Sequence, residues 1–193
     1  MPYKFTIRRD DGGVFQCPIQ KYRCEHLFAG STHRCKRNQY IGFALCFQHL
    51  AIDARLKIAP ATNPDYGKGL FATNRLQNNT DVVFKKDQRI IQYRGDVINK
   101  KELDERYGIS DTAPYAYHIN RDMFVDSACL RSAGSLANHK PLREANAKLY
   151  FSPHDRNAYI KATKNIRNNE EIFVNYGRAY KFAENHATRY KRR

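Results

Sequence analysis

Four short motifs in the last two thirds of the chain constrain its fold more than any other sequence feature. In chain order they are Tyr66-Gly67-Lys68-Gly69-Leu70-Phe71-Ala72, Tyr93-Arg94-Gly95-Asp96, Asn138-His139 and Glu170-Glu171-Ile172-Phe173-Val174-Asn175-Tyr176-Gly177. Each motif is weak alone, because a Gly-x-Gly or a Tyr-Gly after a strand is common in ordinary turns. The order and spacing of all four are informative, and together they cover about residues 60–180.

Short runs of β-branched and aromatic residues beyond residue 65 predict many short strands. These runs are Asp81-Val82-Val83-Phe84, Arg89-Ile90-Ile91-Gln92-Tyr93, Met123-Phe124-Val125 and Ile172-Phe173-Val174. The clearest helix covers 99–108, because Asn99 can cap it, a glutamate follows three residues on, and Gly108 can close it. A short helix is also expected within 41–57. Short strands with few helices favour a mainly β domain over a doubly wound one.

Length and composition allow one large domain, or one domain with a small module, at 193 residues. A hydrophobic fraction of 41% and an aromatic fraction of 12% are enough for a packed core and exclude wholesale disorder. The sequence has no apolar run that could cross a bilayer, and its start lacks the apolar stretch of a secretory signal. We therefore expect an intracellular protein with no membrane partner, in a reducing compartment that disfavours disulfides for the five cysteines.

The strongly basic composition predicts attraction to polyanions. The formal net charge is +15, and part of it lies in the tail Thr188-Arg189-Tyr190-Lys191-Arg192-Arg193. A charge of this size draws a protein towards nucleic acid, including nucleosomal DNA, but does not determine its fold. For the tail itself, a solubilising role and a role in binding or nuclear targeting are both open.

Three cysteines and a histidine near the start of the chain form a candidate structural zinc site. The four ligands, separated by ten, ten and two residues, are Cys24, Cys35, Cys46 and His49. A closed tetrahedral zinc site needs this number of ligands. The segment is similar to short zinc-binding segments of the form Cys…Gly…Arg-Cys-Lys-Arg…Cys-x2-His, which Gly30 and residues 34–37 match.

Other assignments of this segment stay open. Cys17, His26 or His33 could replace one of the four ligands. Buried free thiols with a surface histidine are the metal-free alternative, although so many close cysteines in an intracellular chain argue against it. A module folded by its metal would leave Arg34 and its basic neighbours on the surface for an acidic partner.

The predicted organisation has three parts. An N-terminal region, 1–58, contains the zinc module at about 17–50. A connection with two prolines, 59–65, leads into the main domain, 59–180, and the basic tail covers 181–193.

In their order along the chain, the four motifs resemble the SET-domain protein-lysine methyltransferases. The resemblance implies a SET-domain fold of several short β-sheets with a pseudoknot at the active site, beside the small N-terminal zinc module. It implies S-adenosylmethionine as the cofactor, in addition to structural Zn²⁺. No Gly-x-Gly-x-x-Gly motif follows a strand, which counts against the more widespread Rossmann-type methyltransferases.

Matched residue by residue, the resemblance assigns roles within the site. Tyr176 matches the catalytic tyrosine, which orients the amine and the methyl group. The glycines of the first motif would let backbone approach the cofactor closely. The implied cofactor-binding residues are Lys68, Gly69, Leu70, Tyr117, Asn138, His139 and Tyr176. The implied lysine channel is formed by Tyr115, Tyr117, Val174, Tyr180 and Phe182.

Lysine methylation requires a neutral amine that attacks a sulfonium methyl group in line with the departing sulfur. The ordinary pKa of lysine is about 10.4, so the ammonium group must first lose a proton. The site must also hold both substrates in near-attack geometry and exclude water. Whether Tyr176 is itself a general base stays open. Acidic residues such as Asp111, Asp122 and Asp126 could attract the lysine, whereas Cys129 is assigned to the core.

The chain departs from the family pattern near the site. The usual Asn-His-Ser-Cys-x-Pro-Asn is replaced by 138–146, which is two residues longer and lacks the Ser and Cys. No cysteine follows Tyr176 in this sequence, so the zinc site that many members carry beside the active site is missing. Val174 stands where a tyrosine would favour a single methyl group, and the smaller side chain predicts di- or trimethylation.

Three functions are compatible with the sequence. The leading one is an S-adenosylmethionine-dependent protein-lysine methyltransferase that acts on histone tails in the nucleus. The second is a catalytically degenerate SET and zinc protein that binds chromatin or DNA, which the altered loop after His139 favours and the retained Tyr176 disfavours. The third is methylation of a non-histone protein, because no sequence feature names the target.

Overall fold

The computed structural model describes residues 4–9, 11–19, 23–38, 43–74, 81–109 and 113–177. Within these residues, short strands predominate and two α-helices are short, so the expected mainly β fold is confirmed. Asp111, Tyr180, Phe182 and the basic tail 181–193 lie outside the described residues.

The strands expected from the sequence around 81–84, 89–93, 123–125 and 172–174 are present with small shifts at their ends. In the first part of the chain the elements are β1 (Lys4–Arg8), β2 (Val14–Pro18), α1 (Phe47–Asp53), β3 (Leu56–Pro60), β4 (Lys68–Ala72), β5 (Val82–Phe84), β6 (Arg89–Gln92), β7 (Asp96–Asn99) and α2 (Lys100–Tyr107). In the second part they are β8 (Ala116–Asn120), β9 (Met123–Asp126), β10 (Asn138–His139), β11 (Ala147–Ser152), β12 (Asn157–Ala162), β13 (Ile166–Arg167) and β14 (Phe173–Val174).

Both helices begin at residues that local chemistry favours. The backbone N–H of Glu102 donates to Asn99 Oδ1 at 3.0 Å, and the N–H of Asn99 donates to Glu102 Oε2 at 2.8 Å. This reciprocal capping box starts α2, and Gly108 closes it at φ +93°. α1 lies within the range 41–57 in which a short helix was expected, and it begins after Cys46. Neither described helix is both long and apolar enough to span a membrane.

The segment expected to connect two units is partly a strand. β3 pairs antiparallel with β4, with Leu56 opposite Ala72 and Pro60 opposite Lys68. The polar residues between them form a 3-10 turn, Pro64–Tyr66, followed by Gly67 at φ +71°. A domain boundary between 58 and 59 therefore falls inside β3.

A five-stranded sheet brings distant motifs together. Its strand order is β10-β14-β11-β12-β6. β14 is parallel to both of its neighbours: Phe173 lies opposite Asn138, and Val174 lies opposite both His139 and Ala147. The last strand is thus inserted between two strands that are close in sequence. This arrangement is the pseudoknot that the family resemblance implied.

Completely buried aliphatic side chains hold the threaded strand against the first motif. Leu56, Leu70, Ile160, Ile166 and Ile172 are all 0% exposed. Burying one such side chain stabilises a fold by about 1.5–3 kcal/mol relative to leaving it in water. Because these residues come from five different segments, the core fixes the relative positions of the elements that carry the site.

The N-terminal hairpin of β1 and β2 packs on the main domain and is covalently linked to it. Phe5 packs against the cluster around Leu103 and Tyr107. Cys17 of β2 forms a disulfide with Cys129, 112 residues further along the chain. The expectation that the cysteines form no disulfide, with Cys129 a free core thiol, is therefore wrong. The local sequence does not indicate a disulfide between cysteines so far apart in the chain, because such a bond depends on the two Cα atoms lying close together in the folded structure.

Candidate active site and zinc centre

Four side chains of the N-terminal region form a compact, buried ligand set. The Sγ atoms of Cys24, Cys35 and Cys46 and a ring nitrogen of His49 all lie within 4.8 Å of one another. His49 Nδ1 is 3.3 Å from Cys24 Sγ and 3.4 Å from Cys46 Sγ. A tetrahedral zinc ion, with Zn–S distances of about 2.3 Å, fits among ligand atoms at these separations. The structure therefore brings together the four ligands that the sequence predicted.

Two arginines hold the segments that carry the cysteines. Arg23 Nε donates to the carbonyl oxygen of Cys35 at 2.8 Å, and Arg34 Nε donates to the carbonyl oxygen of Cys24 at 2.7 Å. Hydrogen bonds from a charged donor are roughly twice as strong as neutral ones. Arg34 is exposed, as expected, and its guanidinium also stabilises the module.

The alternative ligands do not replace a member of this set. Cys17 is bonded to Cys129. The ring of His26 stacks on His49 with centroids 3.7 Å apart, and its Nδ1 lies 2.6 Å from Asp53 Oδ2. In the described part of the chain, His33 is not within the ligand group. Burial, and then the nearby His26, lower the pKa of His49, which favours the neutral imidazole that binds metal.

The first and third motifs meet in one hydrogen-bonded cluster. Asn138 Nδ2 donates to the carbonyl oxygen of Lys68 at 3.1 Å and to Glu171 Oε1 at 2.8 Å. Glu171 Oε2 accepts the backbone N–H of Thr62 at 2.7 Å. No role was assigned to Glu171 from the sequence, although its position in the last motif could have indicated one. Its carboxylate joins three distant segments and is only 3% exposed.

The two glycines of the first motif are needed for different reasons. Gly67 adopts a positive φ that most other residues would find strained. A Cβ at Gly69 would lie 2.3 Å from Glu171 Oε1, so this glycine makes room for the carboxylate. The side chain of Leu70 is fully buried in the core. Any contact of Leu70 with a cofactor must therefore come from its backbone.

The last motif places Tyr176 in the wall of a cavity. Its hydroxyl donates to the carbonyl oxygen of Ala137 at 2.9 Å, and its backbone N–H donates to His139 Nδ1 at 3.1 Å. The cavity has a volume of about 310 Å³, at the lower end of the range for small-ligand sites. Its lining residues, mostly aromatic and apolar, are Tyr93, Leu103, Ala113, Pro114, Ala116, Tyr117, His118, Phe124, Gly134, Ser135, Ala137, Leu149, Val174 and Tyr176.

Comparison with known families agrees with this threaded site. The family model described as the SET domain matches residues 67–177, which is more than half of the chain. The chain belongs to the SET-domain family. All four sequence motifs lie wholly or almost wholly inside the matched range.

The similar proteins with assigned names include two plant histone-lysine N-methyltransferases, CLF of Oryza sativa subsp. japonica and EZ1 of Zea mays. Each is 28% identical to this chain over 93 residues, which are 47% of this chain and 10% of the relative. This SET-domain chain therefore spans about a tenth of the length of those relatives.

Similar solved structures include one described as ctPRC2 in complex with H3K27me3 and H3K27M, with a TM-score of 0.49 and 22% identity. That match covers 63% of this chain and 14% of the other. A second is CpSET8 from Cryptosporidium, with a TM-score of 0.46 and 21% identity, covering 63% of this chain and 57% of the other.

Of the residues expected in the lysine channel of the SET domain, Tyr117 and Val174 line the cavity, but Tyr115 does not. The ring of Tyr115 packs edge-on against Phe5 of the N-terminal hairpin, with centroids 5.4 Å apart. Its carbonyl oxygen accepts the hydroxyl of Tyr93 at 2.9 Å. Tyr115 thus contributes to the site through its backbone, and its side chain anchors the hairpin.

Tyr93 is a cavity residue to which the sequence assigned no function, although it begins the second motif. Burial raises the pKa of its hydroxyl, and nearby Tyr176 and Asp126 act in the same direction. The hydroxyl therefore stays protonated and keeps its hydrogen bond to Tyr115. Tyr93 forms a neutral, rigid part of the cavity wall.

Of the acidic residues expected to attract a substrate lysine, the two that the structure describes, Asp122 and Asp126, do not line the cavity. Asp126 is completely buried, lies 2.8 Å from Arg106 Nη1, and accepts the hydroxyl of Tyr107 at 2.7 Å. Asp122 lies in the exposed turn between β8 and β9. The expectation for Asp126 is wrong, because its carboxylate is the counter-ion of a partly buried arginine. Among the described residues that line the cavity, none is acidic.

Asn146 fixes the threaded strand of the SET domain at the site. Its Nδ2 donates to the carbonyl oxygen of Glu171 at 2.8 Å, and its Oδ1 accepts the backbone N–H of Phe173 at 2.9 Å. The side chain is buried, so both bonds are shielded from water. The two extra residues of the loop after His139 come before Asn146 in the chain, so they do not interrupt its two hydrogen bonds. The altered loop therefore leaves the pseudoknot intact.

His139 supports Tyr176, the candidate catalytic residue, through a hydrogen bond and ring packing. Burial lowers the pKa of its imidazole. The neutral form keeps a lone pair on Nδ1, which accepts the backbone N–H of Tyr176. Its ring lies 5.2 Å from that of Tyr176, so the two side chains pack as a pair.

Proposed function

We propose that this SET domain is an S-adenosylmethionine-dependent protein-lysine N-methyltransferase. The observation that carries the proposal is the position of Tyr176, whose hydroxyl lies in an aromatic cavity beside Val174 and next to the Asn138 cluster. A narrow aromatic cavity suits the apolar stem of a lysine side chain. In this proposal the amine of the bound lysine lies next to the hydroxyl of Tyr176.

The residues implied to hold the cofactor fit such a group. Lys68 and Asn138 are joined by a hydrogen bond, and Asn138 is in the same short strand as His139, which accepts from Tyr176. Gly69 presents backbone with no side chain, next to the buried carboxylate of Glu171. A negative charge here complements a cationic ligand. When bound, S-adenosylmethionine would supply an activated methyl group on a sulfonium centre.

The protein's own residues would orient and desolvate the lysine amine. The hydroxyl proton of Tyr176 is directed to the carbonyl oxygen of Ala137. Its oxygen therefore offers lone pairs to an N–H of the amine and can hold the nitrogen in line with the methyl group. Burial in a cavity whose described lining residues include no acid would lower the pKa of the lysine, which favours the neutral nucleophile.

We also propose that the product is di- or trimethyl-lysine. Val174 is 2% exposed and lines the cavity two residues before Tyr176. It has no hydroxyl that could hold a water molecule beside the amine. The smaller side chain leaves space for a methylated amine to turn and present its lone pair again.

Histone tails are the proposed substrate, with a nuclear, chromatin-associated location. The support is the names of the relatives, which are histone-lysine methyltransferases. We propose that the buried Cys3His set holds one structural zinc ion, because soft thiolates and an imidazole in a closed set are typical zinc ligands.

The test is incubation of the protein with isotope-labelled S-adenosylmethionine and histones, or a cell lysate, followed by mass spectrometry of the products. Label on lysine, accumulating as di- or trimethyl-lysine, is the expected result. Exclusive monomethylation at exhaustion would contradict the argument from Val174 alone. Label on a non-histone protein would redirect the substrate. If neither transfer nor cofactor binding occurs, the protein is a degenerate binder instead.

A further inference from the structure

The outward face of β11, β12 and β6 carries a row of cations. Lys148 of β11 is paired with Lys161 of β12, and Lys161 is paired with Arg89 of β6. Like charges directly opposite each other on neighbouring strands are destabilising. Carboxylates of the protein offset part of this repulsion, and an anionic partner would offset the rest.

A loop lysine extends the same charged face. The pKa of Asp87 is held below its usual range, first by its bond with Lys161 and also by the charges of Lys86 and Lys148. Lys161 Nζ lies 3.1 Å from Asp87 Oδ1, Lys86 directly precedes Asp87 in the chain, and Lys148 is the strand partner of Lys161. A second carboxylate, Asp155, lies 2.8 Å from Arg89 Nη1. The face therefore has two carboxylates and more basic side chains than acids, so its net charge is positive. Its four basic residues are Lys86, Arg89, Lys148 and Lys161.

The aromatic rings of this face are covered by its cations. Tyr150 and Tyr159 stand opposite each other on β11 and β12. The guanidinium of Arg89 lies 4.2 Å from the centre of the Tyr159 ring, and Lys161 Nζ lies 5.8 Å from the centre of the Tyr150 ring. Proteins that bind single strands stack unpaired bases on exposed rings. Here Arg89 and Lys161 lie over the rings, so a ligand that approaches this face contacts positive charge before it contacts the aromatic surface.

The basic face and the catalytic cavity lie on opposite sides of one sheet. Leu149, between Lys148 and Tyr150, lines the cavity. Successive side chains of a strand point to opposite faces. A polyanion on the basic face therefore leaves the cavity open to a protein substrate.

We propose that Lys86, Arg89, Lys148 and Lys161 form a binding surface for the phosphate backbone of duplex DNA. Duplex DNA carries one negative charge per about 1.7 Å of its axis, so a compact row of cations gains much from counterion release. The overall charge of +15 would draw the protein to such a polymer. The interaction would be independent of base sequence, because lysines act on phosphate as point charges. This surface is a proposal separate from methyl transfer and does not depend on it.

The test is fluorescence anisotropy of a labelled duplex titrated with the full chain at several KCl concentrations. The double variant Lys86→Ala/Lys148→Ala should bind more weakly, and the slope of log K against log salt should fall in magnitude by about two. Both lysines are exposed, so the fold should be unaffected. The matched control is Lys4→Ala/Lys101→Ala, which removes the same charge from β1 and α2. It should bind nearly as the unchanged protein does.

Three results would overturn the proposal. The first is an equal loss of affinity and slope in the two double variants. The second is tighter binding to a polyglutamate peptide than to the duplex. The third is tighter binding to a single-stranded oligonucleotide that is lost in Tyr150→Ala. Methyl transfer to a free histone peptide by Lys86→Ala/Lys148→Ala reports on the catalytic proposal separately, because DNA binding is measured without cofactor.

Discussion

The hydroxyl of Tyr176 donates a hydrogen bond of 2.9 Å to the carbonyl oxygen of Ala137, a residue 39 positions earlier. Both residues line the cavity. This hydrogen bond fixes the direction of the hydroxyl proton. It therefore also fixes the direction from which the hydroxyl oxygen can accept a hydrogen bond. The geometry of one side chain therefore depends on the segment immediately before the Asn138-His139 motif.

Replacing Tyr176 with phenylalanine should separate catalysis from stability. Loss of an orienting hydroxyl should lower kcat by about 100-fold or more. The free energy of unfolding should fall by only about 1 kcal/mol, because one hydrogen bond is lost. Rates from labelled methyl transfer and denaturant unfolding curves measure the two effects. Tyr159→Phe removes a hydroxyl outside the cavity and should leave the rate on a free peptide unchanged; equal losses in both variants would contradict the assignment.

Replacing Glu171 with glutamine should weaken both the fold and cofactor binding. The carboxylate accepts from Asn138 and from Thr62, and an amide nitrogen would face one of those donors instead. An unsatisfied buried donor costs about 1–3 kcal/mol. Unfolding curves and calorimetric titration with S-adenosylmethionine measure the two losses. Glu144→Gln, at an exposed glutamate, is the control; a Glu171→Gln protein that matches it would show that the cluster has no special role.

The Tyr176 segment should become unstable as the pH falls, because of His139. Burial lowers the pKa of the folded imidazole below its ordinary value of about 6.5. The neutral imidazole of His139 therefore contributes its full stabilisation above about pH 6.5. This contribution is lost as the pH falls through the lowered pKa. His139→Gln cannot titrate, so the difference in unfolding free energy between the two proteins should shrink towards low pH. A constant difference across this range would contradict the linkage.

The N-terminal module should require its metal. Purified protein should contain one zinc ion per chain by atomic emission, and Cys46→Ser should contain much less. A strong chelator should release the metal and remove protection of the backbone amides of 24–38 and 43–49 in hydrogen exchange, since metal binding and folding of small sites are coupled. Cys17→Ser should retain its zinc, because Cys17 lies in the disulfide. Zinc loss in that variant instead would overturn the ligand assignment.

The disulfide should stabilise the protein through its long closed loop. A cross-link that closes a loop of this size is worth about 4–5 kcal/mol in the chain-entropy description, and measured values are commonly about 2–4 kcal/mol. Cys129→Ser should therefore lower Tm, and a thiol reductant should lower the Tm of the unchanged protein to the same value. A reductant that has no effect on the unchanged protein would show that the bond does not form in solution.

Features encoded locally could be predicted from the sequence. The capping box of Asn99 and Glu102 and the strand before Tyr176 depend on neighbours a few residues away. The grouping of Cys24, Cys35, Cys46 and His49 could also be predicted, because few residue types can form a closed zinc site. In each case the signal was complete within a short segment.

Features that depend on tertiary placement could not be predicted. The bond between Cys17 and Cys129 and the role of Asp126 as the counter-ion of Arg106 follow from which segments meet. The side chain of Tyr115 points to the hairpin, not to the cavity, because Phe5 packs against it. The composition of a segment does not encode the identity of a partner that is distant in the chain.

The position of β14 between β10 and β11 also sets the order in which the site can form during synthesis. A ribosome that has released residues up to 162 has produced most of the sheet, but neither Tyr176 nor the strand that carries it. The nascent chain therefore cannot complete the cavity wall, which includes Val174 and Tyr176, until residues 170–176 have emerged and β14 has entered the gap. The wall of the candidate site is therefore completed only when β14, the last of the described strands, has paired with strands made well before it.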